Sequence, residues 1–261
     1  MISWSYIQNQ NNSIPRANLL YGTHNTEEYK EWNLPPIIEH YTQRHTITNA
    51  IWAKFKPNNT KGNIAVLAGL HGLGGIGKTT LAKNAIHHPK QKYHFKAWFS
   101  AETKSLLQSD YLALGDQKKI FPQASLPVKQ KISLVKEWLE QQQLILLVYD
   151  NVDDMEILRD YLPNKGDIIV TSRNHNIPGA IEIDVMNEEE AKNLLKNLLP
   201  QSFRQQKDYH KDLENLVQTL GYLPLAISQA GAYIVENMID IQDYLSLYET
   251  EQSKLLSDKT M

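Results

Sequence analysis

Short apolar runs alternate with amphipathic segments along the middle of the chain. Five runs have the length of strands and lie at 64–70, 95–100, 144–150, 167–173 and 180–185. Segments with apolar residues three and four positions apart predict helices at 46–56, 77–87 and 126–142. The run at 144–150 has almost no polar alternation, so we expect both of its faces to be covered. The alternation predicts an α/β fold with a parallel five-stranded sheet and helices on both faces.

The pattern changes at both ends of this region. From residue 186 onward it predicts helices only, at 188–200, 208–221, 223–237 and 239–256, and hence a small all-helical subdomain over 186–261. Residues 1–40 are mostly polar and include Pro35-Pro36, which predicts a poorly structured N-terminal lead-in. The α/β domain is therefore expected at 41–185.

Composition narrows the class of protein. The chain has 261 residues, 41% of them hydrophobic, which is enough for one large or two modest cores. Its 27 basic and 29 acidic side chains give a net charge of -2, so we expect no nucleic-acid or membrane partner. There is no cysteine, which excludes disulfides. Without a secretory signal pattern or an apolar run of about 20 residues, a soluble cytoplasmic protein is expected.

A glycine-rich segment follows the first predicted strand. Residues 70–83 read LHGLGGIGKTTLAK and fit the P-loop pattern G-x-x-x-x-G-K-[ST]. Glycines there let backbone N–H groups approach phosphates, and the helix that follows adds its positive N-terminus. We expect Lys78 to contact the outer phosphates and Thr79 to bind Mg²⁺. The expected nucleotide contacts in this segment are Gly72, Gly74, Gly75, Ile76, Gly77, Lys78, Thr79 and Thr80.

The same glycines allow a second interpretation. Gly72, Gly74 and Gly77 also satisfy G-x-G-x-x-G, the pattern of dinucleotide-binding folds, and Glu102 could serve as the ribose carboxylate. The lysine and two threonines that follow have no role in a dinucleotide turn. An apolar strand that ends in an acid also occurs later, as a P-loop protein requires. We therefore favour a purine nucleoside triphosphate or diphosphate as the ligand.

Two later strand ends carry candidate chemistry. Asp150 ends the run at 144–150, where a carboxylate can bind Mg²⁺ through water. Asn151 occupies the place where many P-loop ATPases carry an acid that orients the attacking water, so we expect at most slow Mg²⁺-dependent hydrolysis. Arg173 is either a surface arginine or a contact to the terminal phosphate. The candidate catalytic residues are Lys78, Asp150 and Arg173.

Together these motifs resemble the NB-ARC class of signal-transducing ATPases within the STAND P-loop NTPases, a class that includes plant immune receptors, the animal apoptosome scaffold and bacterial relatives. The resemblance covers about residues 41–248. Seven motifs occur in the order of the family: YTQRHTITNAI (41–51), GLHGLGGIGKTTLAK (69–83), FKAWFSAET (95–103), LLVYDNVDD (146–154), GDIIVTSRN (166–174), EEEAKNLL (188–195) and LGYLPLAISQAGAYI (220–234). A P-loop alone would be generic, whereas this ordered set is specific.

The resemblance implies ADP or ATP with Mg²⁺ as the bound cofactor. It implies that Arg173 reads the γ-phosphate, that Pro224 packs near the adenine, and that Thr42 and Arg44 flank the adenine from the N-terminal side. Pro224 could instead be only the first turn of a helix, and Arg44 only a solvated charge.

Three functions stay open at this point. The first, implied by the resemblance, is a switch that binds ADP at rest and self-associates in the ATP state. The second is an ATPase or phosphotransferase that turns over, and the third is a scaffold with structural ADP.

Overall fold

Six short strands form one parallel sheet in the computed structural model, which describes residues 30–56, 62–69, 74–123, 125–205 and 208–257. The strands are β1 (Lys30–Trp32), β2 (Asn63–Gly69), β3 (Phe95–Ser100), β4 (Ile145–Asp150), β5 (Asp167–Ser172) and β6 (Ile181–Ile183). Their order across the sheet is β1-β3-β4-β5-β2-β6, and every neighbouring pair is parallel. The predicted fold class is confirmed, with six strands in place of five.

Eight α-helices accompany the sheet in the described residues. They are α1 (His45–Lys54), α2 (Lys78–His87), α3 (Lys104–Gln117), α4 (Val128–Gln141), α5 (Glu188–Leu198), α6 (Tyr209–Thr219), α7 (Pro224–Asn237) and α8 (Ile241–Ser257). Short 3-10 helices lie at Met155–Leu158 and Gln201–Gln205. Within these described ranges, no helix combines the length and the apolar character that crossing a membrane requires.

Helices cover both faces of the sheet, as the continuous apolar run at β4 predicted. Ile145, Leu147 and Tyr149 belong to a core shared with α3 and α4. Leu146 and Val148 belong to a second core, shared with α1 and α2. Successive side chains of a strand point to opposite faces, so a strand that is covered on both sides must be apolar throughout.

The additional strand, β1, lies at one edge of the sheet. Lys30–Trp32 pairs with β3, and Glu31 forms an ion pair with Lys96 at 2.7 Å. Trp32 is buried, and its ring centroid lies 5.1 Å from that of Phe99. Three residues with two charges give no strand pattern, so the sequence did not predict β1. It lies inside the predicted lead-in, whose first 29 residues are outside the described part of the chain.

One helix, α3, was also missing from the sequence prediction. Leu107, Tyr111 and Leu114 are fully buried on one side of α3, but Leu106 is exposed and obscures the apolar stripe. The helix begins after Thr103, whose hydroxyl oxygen accepts a hydrogen bond from the backbone N–H of Leu106 at 3.2 Å. Such an N-cap stabilises a helix by about 1 kcal/mol.

Helices α5 to α8, here called the helical unit, share a third core. The four helices predicted beyond residue 186 are all present, and Leu195, Leu216 and Ile227 lie at the centre of that core. A capping box begins α5: the Asn187 side chain accepts from the N–H of Glu190 at 2.8 Å, and Glu190 accepts from the N–H of Asn187 at 3.2 Å. This box fixes the point at which the chain leaves β6 and enters the helical unit.

The strand order determines which loops meet. Strand β2 lies between β5 and β6, and β4 lies next to β5. All carboxyl ends of a parallel sheet lie at one edge, so the segments that follow β2, β4 and β5 become neighbours there.

Candidate nucleotide-binding site

A cavity of about 580 Å³ opens at the carboxyl edge of the sheet. That volume lies within the range of about 300–1,000 Å³ that small-molecule sites occupy. Its walls include predicted site residues from separate parts of the sequence: Thr42, Arg44, Gly74, Gly75, Ile76, Gly77, Lys78, Thr79, Thr80, Arg173 and Pro224. The fold therefore brings these residues together around one space.

The described part of the P-loop, residues 74–80, leads into α2 and contains two glycines in the left-handed region. Gly75 has φ +76° and Gly77 has φ +92°, and Gly77 is the N-cap of α2. Other residues are strained at these angles. The first N–H groups of a helix have no partner within it, so together with the helix dipole they favour an anion at this end. Gly72 lies outside the described residues.

Two cations approach each other beside the P-loop. Lys78 occupies the first turn of α2, and burial, followed by the charge of nearby Arg173, lowers its pKa, whereas Asp150 acts in the opposite direction. Arg173 is exposed and lines the cavity. Like charges held close together disfavour each other, so an anionic group between Lys78 and Arg173 would stabilise both.

Asp150, at the end of β4, accepts hydrogen bonds from two threonine hydroxyls. Thr79 Oγ1 donates to Asp150 Oδ1 at 2.9 Å, and Thr171 Oγ1 donates to the same oxygen at 2.5 Å. Thr171 Oγ1 also accepts from the backbone N–H of Asn151 at 2.8 Å. Asn151 itself has a left-handed φ of +65°. These contacts tie the P-loop to the carboxyl ends of β4 and β5.

The oxygen atoms gathered here suit Mg²⁺. Hydroxyl and carboxylate oxygens are the protein ligands that this ion prefers, and Thr79 and Asp150 place one of each 2.9 Å apart. The residue that follows Asp150 is an amide, which cannot accept a proton from water. The side chains present therefore fit the ion, but the position beside it lacks a general base.

Arg44 lines the cavity as expected, but its guanidinium is engaged with protein groups. It is 5% exposed, which excludes the solvated-charge alternative. Nη1 donates to the carbonyl of Ile76 at 3.3 Å, and Nη2 donates to the carbonyls of Asp184 at 3.0 Å and Val185 at 2.9 Å. Nε donates to Glu190 Oε2 at 3.1 Å. These bonds use four of the five N–H donors of the guanidinium.

Thr42 and Pro224 also line the cavity. Thr42 is 7% exposed, and among the described residues its Oγ1 has no hydrogen-bond partner. Pro224 begins α7, so the helix-start interpretation is correct and the residue lines the cavity as well. Beside it, the backbone N–H of Leu225 donates to the carbonyl of Gly75 at 3.2 Å. The N-terminus of α7 thus rests on the P-loop.

Sequence reasoning missed several residues that line the cavity. Thr171 is the most informative of them because it holds both Asp150 and Asn151. Its signal was a single polar residue in the otherwise apolar run IIVT, near the carboxyl end of a strand. The others are Ile38, His40, Tyr41, Leu81, Met186, Leu194, Leu225 and Ser228, which gave no distinct signal.

Comparison with known proteins agrees with this geometry. The family model for the NB-ARC domain matches residues 44–204. A nucleotide-binding leucine-rich repeat (NLR)-like protein of Hyaloscypha variabilis is 32% identical over 219 residues, covering 73% of this chain and 21% of that protein. Regulatory protein AfsR of Streptomyces griseus is 25% identical over 219 residues, covering 78% of this chain and 22% of its own length. The chain spans about a fifth of each relative.

Solved structures show the same fold. The crystal structure of Cdc6p from Pyrobaculum aerophilum superposes with a TM-score of 0.51, covering 79% of this chain and 65% of that one. The sequences are 13% identical, so the likeness concerns the arrangement of the sheet and helices alone.

Proposed function

The chain belongs to the NB-ARC domain family, a nucleotide-binding module of NTPase-like proteins, and from that premise we propose that it is the adenine-nucleotide-binding part of a signalling switch ATPase. In this proposal ADP is bound at rest, and ATP drives self-association in the cytoplasm. One observation carries it above the others. The N-terminus of α2, Lys78, Thr79 and Arg173 line one cavity, and the Thr79 hydroxyl donates to Asp150.

The phosphate end of the cavity suits a polyphosphate chain. The N–H groups at Gly74 to Thr80 would bind the phosphate oxygens, and Lys78 would lie against the outer phosphates. Lys78 and Arg173 line the same cavity, and burial followed by the charge of Arg173 lowers the pKa of Lys78, so an anion between them would stabilise both charges. Thr79 and Asp150 would hold Mg²⁺, and the bound ion would neutralise phosphate charge.

Thr42 and Pro224 suit a nucleobase. Thr42 has a buried hydroxyl without a partner in the described residues, and a buried polar atom in that state is unfavourable unless a ligand satisfies it. Pro224 offers an apolar surface for the face of a ring. We assign the base as adenine because the family resemblance implies it.

Arg173 would discriminate between the two nucleotide states. Its side chain is exposed, so it can reach a third phosphate without first breaking a buried contact. A ligand shifts a conformational equilibrium only by its difference in affinity for the two states. Arg173 is the group that would supply such a difference between ATP and ADP, whereas Asn151 keeps hydrolysis slow enough for the ATP state to persist.

The switch is tested by binding and by size. We would identify the nucleotide in freshly purified protein by mass spectrometry, then measure affinities for ADP and for a slowly hydrolysed ATP analogue by calorimetry. Light scattering would give the molar mass in each state. We expect co-purified ADP, distinct affinities and a larger mass with the analogue.

The matched variant for this test is Arg173→Ala. It should weaken binding of the analogue more than binding of ADP, because only the triphosphate would contact Arg173. Asn174→Ala, one residue further along the same loop, serves as the control. Equal affinities for the two nucleotides together with an unchanged mass would contradict the switch, and rapid phosphate release over many turnovers would favour an ordinary ATPase.

A further inference from the structure

Arg44 joins three parts of the molecule through one guanidinium. Its hydrogen bonds reach the P-loop at Ile76, the connection after β6 at Asp184 and Val185, and helix α5 at Glu190. We call this set of contacts the Arg44 bridge. A planar fork with five N–H donors can make such contacts at once, whereas a lysine ammonium cannot reproduce their geometry.

The bridge acts on the orientation of a P-loop peptide. A trans peptide is planar, so its C=O and the N–H of the next residue point in opposite directions. Arg44 holds the carbonyl of Ile76, which directs the N–H of Gly77 away from Arg44. The N–H of Leu225 holds the carbonyl of Gly75 in the same way and directs the N–H of Ile76. Two N–H groups of the anion site are thus oriented by residues outside the P-loop.

The other end of the bridge lies at the start of the helical unit. Glu190 Oε2 accepts from Arg44 Nε and also from the backbone N–H of Asn187, so one carboxylate serves both the bridge and the capping box of α5. The side chains of Arg44 and Glu190 are only 6% and 17% exposed. Removing one partner of a charge pair this well buried strongly destabilises the folded state, because the other charge stays buried without a partner.

From these contacts we infer that Arg44 is a positioning residue that couples nucleotide binding at the P-loop to the attachment of the helical unit. A bound phosphate would hold the peptide between Ile76 and Gly77 in one orientation. The Ile76 carbonyl of that peptide would then hold the guanidinium of Arg44 in place. Arg44 in turn fixes the connection at 184–185 and the first turn of α5. Coupling between two sites acts in both directions, so a substitution that weakens the contact between Glu190 and Arg44 must also weaken nucleotide binding. This inference rests on the proposed function, because it presumes that a nucleotide binds at the P-loop.

The decisive variant is Glu190→Gln. Glutamine at this position can keep the capping box but removes the charge that faces Arg44. Among the described residues Glu190 is not part of the nucleotide cavity wall, and its contact with Arg44 connects it to the P-loop carbonyl of Ile76. The matched control is Glu189→Gln, since Glu189 pairs with Lys192 at 2.5 Å.

Two readouts separate coupling from mere loss of stability, both taken well below the unfolding temperature. Calorimetry gives the ADP affinity, and we expect Glu190→Gln to lower it about fivefold or more while Glu189→Gln leaves it unchanged. Hydrogen exchange of the backbone amides at 184–190 gives the attachment of the helical unit. ADP should slow this exchange in the unaltered protein and in Glu189→Gln, but not in Glu190→Gln.

A double-variant cycle completes the experiment. Arg44→Gln alone should weaken ADP binding, Glu190→Gln should add nothing in that background, and Arg44→Lys should restore only part of the affinity. Should Arg44→Gln fail to fold, Glu190→Gln decides alone. If the unaltered protein binds ADP and Glu190→Gln binds it equally well with equal protection, the coupling is refuted while the proposed function stands. If the unaltered protein binds no adenine nucleotide, the coupling and the proposed function are both refuted.

Discussion

At the scale of single residues, individual oxygen atoms of the site take part in more than one hydrogen bond. Asp150 Oδ1 accepts from both Thr79 and Thr171, and Thr171 Oγ1 also accepts from the N–H of Asn151. Removing any one of these groups leaves the others with an unsatisfied partner, which costs more than a simple hydrogen bond contributes. The contribution of each residue therefore has to be measured beside a control from the same element.

Lys78 provides the sharpest prediction at this scale. We expect Lys78→Ala to weaken ADP and ATP binding by about 10- to 150-fold, because a hydrogen bond to a charged group contributes about 1.5–3 kcal/mol. Calorimetric titration measures the change. Lys83→Ala is the control, since Lys83 lies on the same helix and outside the cavity lining among the described residues. An unchanged ATP affinity in Lys78→Ala would show that residues 72–80 do not bind the phosphates.

The residues of the site differ in how far the sequence could reveal them. The P-loop has fixed local spacing, because a glycine turn and a helix start must be adjacent in the chain, so Gly74 to Thr80 could be identified directly. Arg44 and Glu190 are 146 positions apart, and nothing local to either indicates the contact. The family resemblance therefore predicted that Arg44 flanks the adenine, but it could not show the protein groups that the guanidinium binds.

At the scale of elements, the P-loop is in close contact with the N-terminus of α7, where Gly75 faces Leu225. A Cβ added at Gly75 would lie 2.7 Å from Leu225 Cβ, and the φ of Gly75 is +76°. A Cβ at Gly74 would meet nothing within 4 Å in the described residues. Neighbouring glycines in one motif thus differ: Leu225 and a positive φ constrain Gly75, whereas neither constrains Gly74.

This difference predicts unequal effects of two matched substitutions. Gly75→Ala should lower the free energy of unfolding by about 1–3 kcal/mol, because it strains the backbone and pushes α7 away. Gly74→Ala should change that free energy by no more than about 0.5 kcal/mol. Urea denaturation followed by tryptophan fluorescence and circular dichroism gives both values. Equal effects of the two substitutions would show that α7 is not held against the P-loop in solution.

Elements with strong periodicity could be predicted, and the two that were missed show why others could not. β1 is a strand only because Trp32 packs on Phe99 and the backbone pairs with β3, and both contacts come from distant sequence. In α3, Leu106 is exposed while Leu107 is buried, so the apolar residues do not mark one face clearly. In both elements tertiary packing outweighs the local pattern.

At the scale of the whole molecule, the cavity lies between two bodies with separate cores. The sheet and the P-loop supply Thr171 and Lys78, and the helical unit supplies Pro224. A ligand that contacts both bodies stabilises the folded state as a unit, because unfolding either one destroys the site.

Thermal unfolding tests this directly. ADP at about 100 times its Kd should raise the free energy of unfolding by about 2.7 kcal/mol. For a chain of this size that corresponds to a rise in Tm of about 5–10 °C. Differential scanning calorimetry with and without ADP and Mg²⁺ measures the shift. In Lys78→Ala at the same ADP concentration, binding that is about 10- to 150-fold weaker should reduce the rise to between about a half and a tenth. An equal rise there would place the ligand elsewhere.

The position of β2 within the sheet has a consequence for biosynthesis. Both of its hydrogen-bonding neighbours, β5 and β6, are translated about a hundred residues later. A nascent chain that has emerged from the ribosome only as far as β4 therefore carries an apolar strand with two bare edges, the kind of surface that chaperones shield from aggregation. The cavity is also incomplete until translation has passed Pro224, because α7 supplies part of its wall.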